Sequence, residues 1–154
     1  MNTDSATAEI ERAVTTLGLP PEAMRRLPLA ESESVYLAAL RHFVSSGDRV
    51  WWWEDFKSPA VSLELETGDG WRHLENLVPD PDELLWLIAE DEQFPHYPVF
   101  ETTTSVASKV LGQCYAFEYY LIPKNLGWIV CENHHNVLLG VGAEVEERLR
   151  RHVV

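Results

Sequence analysis

Three short apolar segments near the C-terminus constrain the fold more than any other feature of the sequence. Residues 115–122, 127–133 and 137–141 are rich in β-branched and aromatic side chains, and a few turn-type residues separate them. Connections this short join antiparallel neighbours, because a parallel crossover needs a dozen or more residues. The pattern therefore predicts a three-stranded antiparallel meander, followed by an amphipathic helix over residues 143–151.

The positions of the two turns also predict which residues lie opposite each other. A first turn within residues 123–126 places Glu118 opposite Cys131, and the second turn places Val130 opposite Leu139. One face of the meander then has the composition of a hydrophobic core. Because side chains alternate along a strand, a shift of one residue would exchange the two faces.

The rest of the chain predicts helices and further strands. Apolar residues at helical spacing predict one helix over residues 5–17 and a longer one with Ser32 as its cap. Residues 49–56 and 61–66 predict two strands that form a hairpin. The apolar run 84–89 fits a strand better than a helix, although periodicity alone leaves both open.

Together these elements predict a single α+β domain over residues 1–154. Residues 1–47 form a layer of helices, residues 48–142 a sheet with inserted helices, and residues 143–154 a closing helix. We expect the N-terminal helices to pack on a mostly antiparallel sheet that ends in the meander. A chain of 154 residues lies within the usual range of one domain.

The charge balance excludes several classes of partner. The chain has 12 Lys and Arg residues against 25 Asp and Glu residues, a formal net charge of -13. This charge repels nucleic acids and anionic lipid headgroups. No apolar run approaches the roughly 18 residues that span a bilayer, and the N-terminus lacks the pattern of a secretory signal. We therefore expect a cytoplasmic protein that binds neither nucleic acid nor membrane.

The acidic residues are concentrated in one stretch. Between Arg72 and Lys109 the sequence contains no Lys or Arg but eight Asp and Glu residues. Such a run is most often a solvated face, and a docking surface for a basic protein is the alternative. The candidate binding residues in this stretch are Asp80, Asp82, Glu83, Glu90, Asp91 and Glu92.

Three consecutive tryptophans form a second candidate binding site. Trp51 and Trp53 are its candidate contacts, because tryptophan supplies a large and rigid contact area. Burial in a central strand is the more common outcome for such residues. An exposed aromatic strand would instead favour a homodimer.

Residues 131–135, Cys-Glu-Asn-His-His, combine a thiol, a carboxylate and two imidazoles, which are groups found in metal and acid–base sites. Against such a site, adjacent strand residues face opposite ways, and neighbouring acids raise the pKa of a cysteine. Common enzyme motifs are absent from the sequence. We therefore predict no cofactor, no metal and no catalytic residue, and keep a small hydrolase or metal-dependent enzyme as the alternative. Its site residues are Glu118, Tyr120, Cys131, Glu132, His134 and His135.

The C-terminal third of the chain is similar in sequence to other proteins. Residues 119–122, 126–135 and 137–142, which read YYLI, LGWIVCENHH and VLLGVG, resemble a group of small uncharacterised bacterial proteins. This resemblance implies a bacterial, intracellular origin. A small, acidic, tryptophan-rich α+β chain is also similar in style to immunity proteins, which neutralise toxins. That similarity implies a non-enzymatic protein whose acidic surface engages a basic partner.

Overall fold

The elements of the fold are taken from a computed structural model, which describes residues 5–45, 52–91, 96–115 and 117–152. The α-helices of this part are α1 (Ala6–Thr16), α2 (Leu29–Phe43), α3 (Leu74–Leu77), α4 (Thr104–Leu111) and α5 (Ala143–His152). The strands are β1 (Arg25–Arg26), β2 (Val61–Glu64), β3 (Leu84–Ala89), β4 (Val99–Thr103), β5 (Tyr119–Pro123), β6 (Ile129–Glu132) and β7 (Val137–Val141).

One antiparallel sheet contains these seven strands, in the order β1-β4-β3-β5-β6-β7-β2. The predicted α+β class, the meander of β5, β6 and β7, and the C-terminal helix are confirmed. The apolar run at residues 84–89 is a strand, as favoured by the sequence, and it lies between β4 and β5. Within the described ranges, no helix has the length and apolar character needed to cross a membrane.

The sheet has a hydrophobic core on each face, because alternate side chains of a strand point to opposite sides. One core lies beneath α1, α3, α4 and α5 and includes Leu87 and Leu121 of the sheet. The other lies beneath α2 and includes Tyr120 and Ile129. The expected single layer of N-terminal helices is therefore divided: α1 and α2 cover opposite faces, since both faces carry apolar side chains.

The start of α2 differs from its prediction. The helix begins at Leu29 with Pro28 at the cap position, so Ser32 lies inside the first turn and does not cap it. The Ser32 hydroxyl oxygen instead accepts a hydrogen bond from the Val99 backbone N–H at 3.0 Å. This bond joins α2 to the sheet at the start of β4.

The tryptophan segment is not a strand. Trp52–Glu54 forms a short 3-10 helix, and Trp51 lies outside the described residues. The Trp52 ring is completely buried between Tyr36 and Tyr120, with ring centroids 5.2 and 4.8 Å away. Burial of a large aromatic ring beneath α2 outweighs the local β propensity of the segment.

The hairpin predicted for residues 49–56 and 61–66 is also wrong. The second of these segments forms β2, which pairs with β7 at the edge of the sheet. The alternating pattern of β2 identified it as a strand, but alternation does not specify the partner strand.

At the first turn of the meander, the predicted pairing is shifted but the predicted faces are correct. At the second turn, the predicted faces are wrong. Tyr120 lies opposite Cys131, two residues from the predicted pairing, and a shift of two leaves every side chain on its predicted face. At the second turn Cys131 lies opposite Leu139, one residue from the prediction. The left-handed φ of 61° at Asn136 shapes this turn. Leu139 consequently joins the core beneath α2.

Candidate functional site

The polar residues of the alternative site lie at one end of the sheet, where β5 begins and β6 ends. Glu118 immediately precedes β5, Glu132 is the last residue of β6, and His134 and His135 lie in the turn before β7. Because adjacent strand residues face opposite ways, the two carboxylates lie on different faces of the sheet. The sequence thus predicted a cluster that the structure divides between two faces.

Glu118 organises the face that α2 covers. Its side chain is fully buried, and its Oε1 accepts hydrogen bonds from Trp53 Nε1 at 3.0 Å and from the His134 backbone N–H at 3.1 Å. The same oxygen contacts His134 Nδ1. Within the described part of the chain, no donor reaches the second oxygen, Oε2. Glu118 therefore fixes both the turn and the Trp53 side chain.

The two histidines and Trp53 form an aromatic group at the rim of this face. The ring centroids of His134 and His135 are 4.0 Å apart, and both lie within 6.0 Å of the Trp53 ring. The His134 side chain is 41% exposed while the carboxylate behind it is buried. A carboxylate that orients an imidazole in this way is an arrangement suited to acid–base chemistry.

Tyr120 and Cys131 lie deeper on the same face and are both fully buried. The Tyr120 hydroxyl oxygen accepts a hydrogen bond from the Trp52 backbone N–H at 3.2 Å. Burial raises the pKa of the Cys131 thiol well above its usual value, and the Glu118 carboxylate raises it further. Burial likewise raises the pKa of Tyr120. Neither group is suited to act as a nucleophile.

A thiol reagent added to the folded protein at neutral pH is expected to react slowly with Cys114 and far more slowly with Cys131. The thiolate is the reactive species, and burial raises the pKa of the half-buried Cys114 to about 11. The rate is measured with a chromogenic disulfide. The Cys114→Ser variant isolates Cys131, and urea-unfolded protein supplies the reference rate. Rapid reaction of the folded Cys114→Ser variant would contradict this expectation.

On the opposite face of the sheet, a cavity of about 160 Å³ opens beside Glu132. We call it the Glu132 cavity. Its polar wall includes Glu132, Asn133 and His134, so His134 contacts Glu118 on one face and lines the cavity on the other. The aromatic residues of its wall are Trp71, Tyr115, Phe117 and Tyr119.

Two hydrogen bonds hold the Glu132 carboxylate in place. Tyr119 Oη donates to Oε1 at 2.8 Å, and the Gly70 backbone N–H donates to Oε2 at 3.0 Å. Burial raises the pKa of Glu132, and these two hydrogen bonds act in the opposite direction. A Cβ at residue 70 would lie 2.7 Å from the Glu132 carboxyl carbon, so glycine permits this close approach.

Strand β3 divides the acidic stretch into two parts. Asp80, Asp82 and Glu83 precede the strand and are exposed, whereas Glu90 and Asp91 follow it. A strand of six residues is about 20 Å long. The acids therefore do not form the continuous docking surface that their spacing in the sequence suggested.

Asp91 has a structural role that removes it from the surface. Its Oδ2 accepts hydrogen bonds from the Thr7 backbone N–H at 3.1 Å and the Thr7 hydroxyl at 2.7 Å, and the side chain is buried. Thr7 belongs to the first turn of α1, where the helix dipole favours a negative charge. Glu90 is half-buried, and Glu92 lies outside the described residues.

The residues that sequence analysis missed are the aromatic walls of the Glu132 cavity. Tyr115, Phe117 and Tyr119 recur at every second position, which is a signal for one side of an extended segment. Trp71 and Gly70 come from a distant 3-10 helix, Gly70–His73, and no local pattern connects them with Glu132.

The fold and the site define an α+β protein whose antiparallel sheet is covered by helices on both faces and carries a carboxylate-lined cavity at one end. Within the described ranges, no group of three or more His, Cys, Asp or Glu side chains is placed to hold a metal ion. The chain belongs to the family of unknown function DUF6756, whose model matches residues 4–152. Comparison with curated proteins and with solved structures gives no match.

Proposed function

We propose that this protein is a non-enzymatic binding module that engages a basic protein partner, in the manner of an immunity protein in a bacterial cytoplasm. The proposed contact surface, which we call the acidic patch, consists of Glu75, Asp80, Asp82, Glu83 and the adjoining Leu84. One observation carries the proposal: within the described residues none of these four carboxylates forms an ion pair.

The acidic patch is held in a fixed shape. Ser105 Oγ lies 3.0 Å from Glu75 Oε2 and 3.3 Å from Asp82 Oδ1. A hydroxyl carries one hydrogen and donates to one of these carboxylates at a time, so the two negative charges are close and only partly compensated. Asp80 Oδ1 also accepts a hydrogen bond from the Asp82 backbone N–H at 3.0 Å. Charge fixed in this way attracts a basic surface at long range.

Leu84 supplies the apolar part of the patch. It begins β3 directly after Glu83. Because Leu85 packs in the core beneath α3 and α4, alternation places the Leu84 side chain on the other face of the sheet, at the edge of the patch, where it is 53% exposed. A large apolar side chain beside charged residues has the anatomy of a protein interface, in which an apolar centre is surrounded by a polar rim.

Neutralising the patch is expected to weaken binding of a basic partner on the order of tenfold or more, because three complementary charges are lost. The products of neighbouring reading frames are co-expressed with the protein, and the affinity of any that co-purifies is measured by calorimetry at two salt concentrations. The test variant is Asp80→Asn/Asp82→Asn/Glu83→Gln, which should also show the weaker salt dependence.

The matched control is Glu22→Gln/Glu64→Gln/Glu66→Gln, which removes three exposed acids elsewhere. It changes the net charge equally, so it separates a local contact from the overall field. Equal affinity of both variants for the partner would exclude the acidic patch as the contact surface. An acidic partner would contradict the proposed class of partner.

A second candidate function, a small hydrolase, is favoured by the buried carboxylate of Glu118 behind the half-exposed ring of His134. Burial of Cys131 argues against its cysteine-dependent form, which the thiol measurement above tests. The remaining form uses His134 as a general base. His134→Ala distinguishes the two functions, because it would abolish such a hydrolysis and leave binding through the acidic patch unchanged.

A further inference from the structure

The Glu132 cavity is separate from the acidic patch. The patch lies at the N-terminal end of α4, where Ser105 contacts it, and Leu111 at the C-terminal end of the same helix lines the cavity. Eight helical residues span about 12 Å. A ligand in the cavity and a partner at the patch would therefore occupy different parts of the surface.

The charge of the cavity wall favours a cationic ligand. Glu132 lies in the wall, and no Lys or Arg is among the described residues that line it. A buried carboxylate without a cation is unfavourable, and this agrees with the raised pKa of Glu132. The hydrogen bonds from Tyr119 and Gly70 use two of about four acceptor positions of the carboxylate. The Glu132 carboxylate can therefore accept further hydrogen bonds from a ligand.

The remaining walls suit an organic cation better than a hydrated metal ion. Trp71, Tyr115, Phe117 and Tyr119 line the space. The faces of such rings attract guanidinium and alkylammonium groups, and the Trp71 ring already has the Arg72 guanidinium over it, 4.6 Å from the ring centroid. A volume of 160 Å³ corresponds to roughly five water molecules. That is room for one cationic head group with a short aliphatic stem.

We propose that the Glu132 cavity binds a single organic cation, a guanidinium or an alkylated ammonium group, with Glu132 as its counter-charge and the four aromatic residues as its walls. The cation comes either from a free small molecule or from an arginine or methylated lysine side chain of a peptide. Both sources present the same chemistry to the cavity.

Three probes test the proposal by chemical-shift titration of the folded protein, followed at the tryptophan indole N–H groups. They are N-acetylarginine methylamide, its neutral isostere N-acetylcitrulline methylamide, and choline. We expect at least one cation to bind saturably, and the citrulline compound to bind about tenfold more weakly than the arginine compound if arginine binds.

Binding of choline alone indicates a free quaternary amine, and binding of the arginine compound indicates a side-chain ligand. Saturable binding of the arginine and citrulline compounds with equal affinity, or no saturable binding of either cation, would overturn the proposal.

Variants locate the binding in the cavity. Tyr115 is 45% exposed, so its replacement is compatible with the fold. Tyr115→Ala is expected to weaken cation binding about threefold, while Tyr115→Phe keeps the ring and the affinity. Glu132→Gln is expected to remove the preference for a cation, and unchanged affinity in both Tyr115→Ala and Glu132→Gln would overturn the assignment. The acidic-patch variant Asp80→Asn/Asp82→Asn/Glu83→Gln should bind the probes normally, so failure of the patch and failure of the cavity are recognised separately.

Discussion

Replacing Trp52 by Ala is expected to lower the free energy of unfolding by about 3–5 kcal/mol. The Trp52 ring is completely buried, lies between Tyr36 and Tyr120, and fills the core beneath α2. Its removal leaves a cavity that the surrounding side chains fill only in part. The loss is measured by urea unfolding as a decrease in the midpoint at an unchanged dependence on denaturant.

The Trp52→Phe variant is the control for this prediction. It keeps an aromatic ring and removes the indole Nε1, which has no hydrogen-bond partner within the described residues. Because a buried donor without a partner is itself unfavourable, the expected loss is smaller, about 1–2 kcal/mol. An unchanged urea midpoint in Trp52→Ala would show that the ring does not support the core. The adjacent Trp53 donates a hydrogen bond to Glu118, which also binds the His134 backbone. Loss of Trp52 should therefore also loosen the His134 turn.

Gly142→Ala is expected to destabilise the protein by roughly 2–5 kcal/mol. Gly142 has a φ of 114°, which side chains disfavour, and a Cβ there would lie 2.7 Å from Gly127 O and 2.9 Å from Trp128 Cα. These are backbone atoms before β6, and they cannot move without displacing the strand. Gly142 also joins β7 to α5, so the strain falls where the closing helix begins.

Gly18→Ala is the matched control for crowding. Gly18 also has a positive φ, of 69°, but nothing lies within 4 Å of a Cβ built there. The expected loss is therefore the backbone strain alone, about 1 kcal/mol. Thermal and urea unfolding of both variants separate the two contributions. Losses of the same size would mean that contact with the backbone of Gly127 and Trp128 contributes nothing.

Trp52 lies near the polar end of the sheet, whereas Gly142 lies at the opposite end, beside Trp128. Trp52 supports the face on which Glu118 binds the His134 turn, and Gly142 fixes the link between the meander and α5. Loss of function in variants of Glu118 or His134 therefore has to be separated from loss of folding, and the unfolding measurements provide that reference.

The grouping of polar residues at one end of the sheet was predictable from the sequence in part. Glu118, Tyr120, Cys131, Glu132, His134 and His135 do lie at one end of the sheet, because two short turns bring them there. The division of Glu118 and Glu132 between faces follows from alternation, given the register of β5 and β6. Contact between Trp53 and Glu118 was not predictable, because these residues are 65 positions apart and no local pattern connects them.

The sequence by itself determined the elements whose pattern is local. Periodic apolar residues identified α1 and α5, alternation identified β2, and short turns identified the meander, since each pattern reflects the geometry of one element or one hairpin. Tertiary structure decided which elements meet. Burial of Trp52 beneath α2 replaced a predicted strand by a 3-10 helix, and pairing placed β2 beside β7. The Glu132 cavity exists because Gly70–His73 packs against the sheet end, and such long-range packing depends on the shape of the whole core.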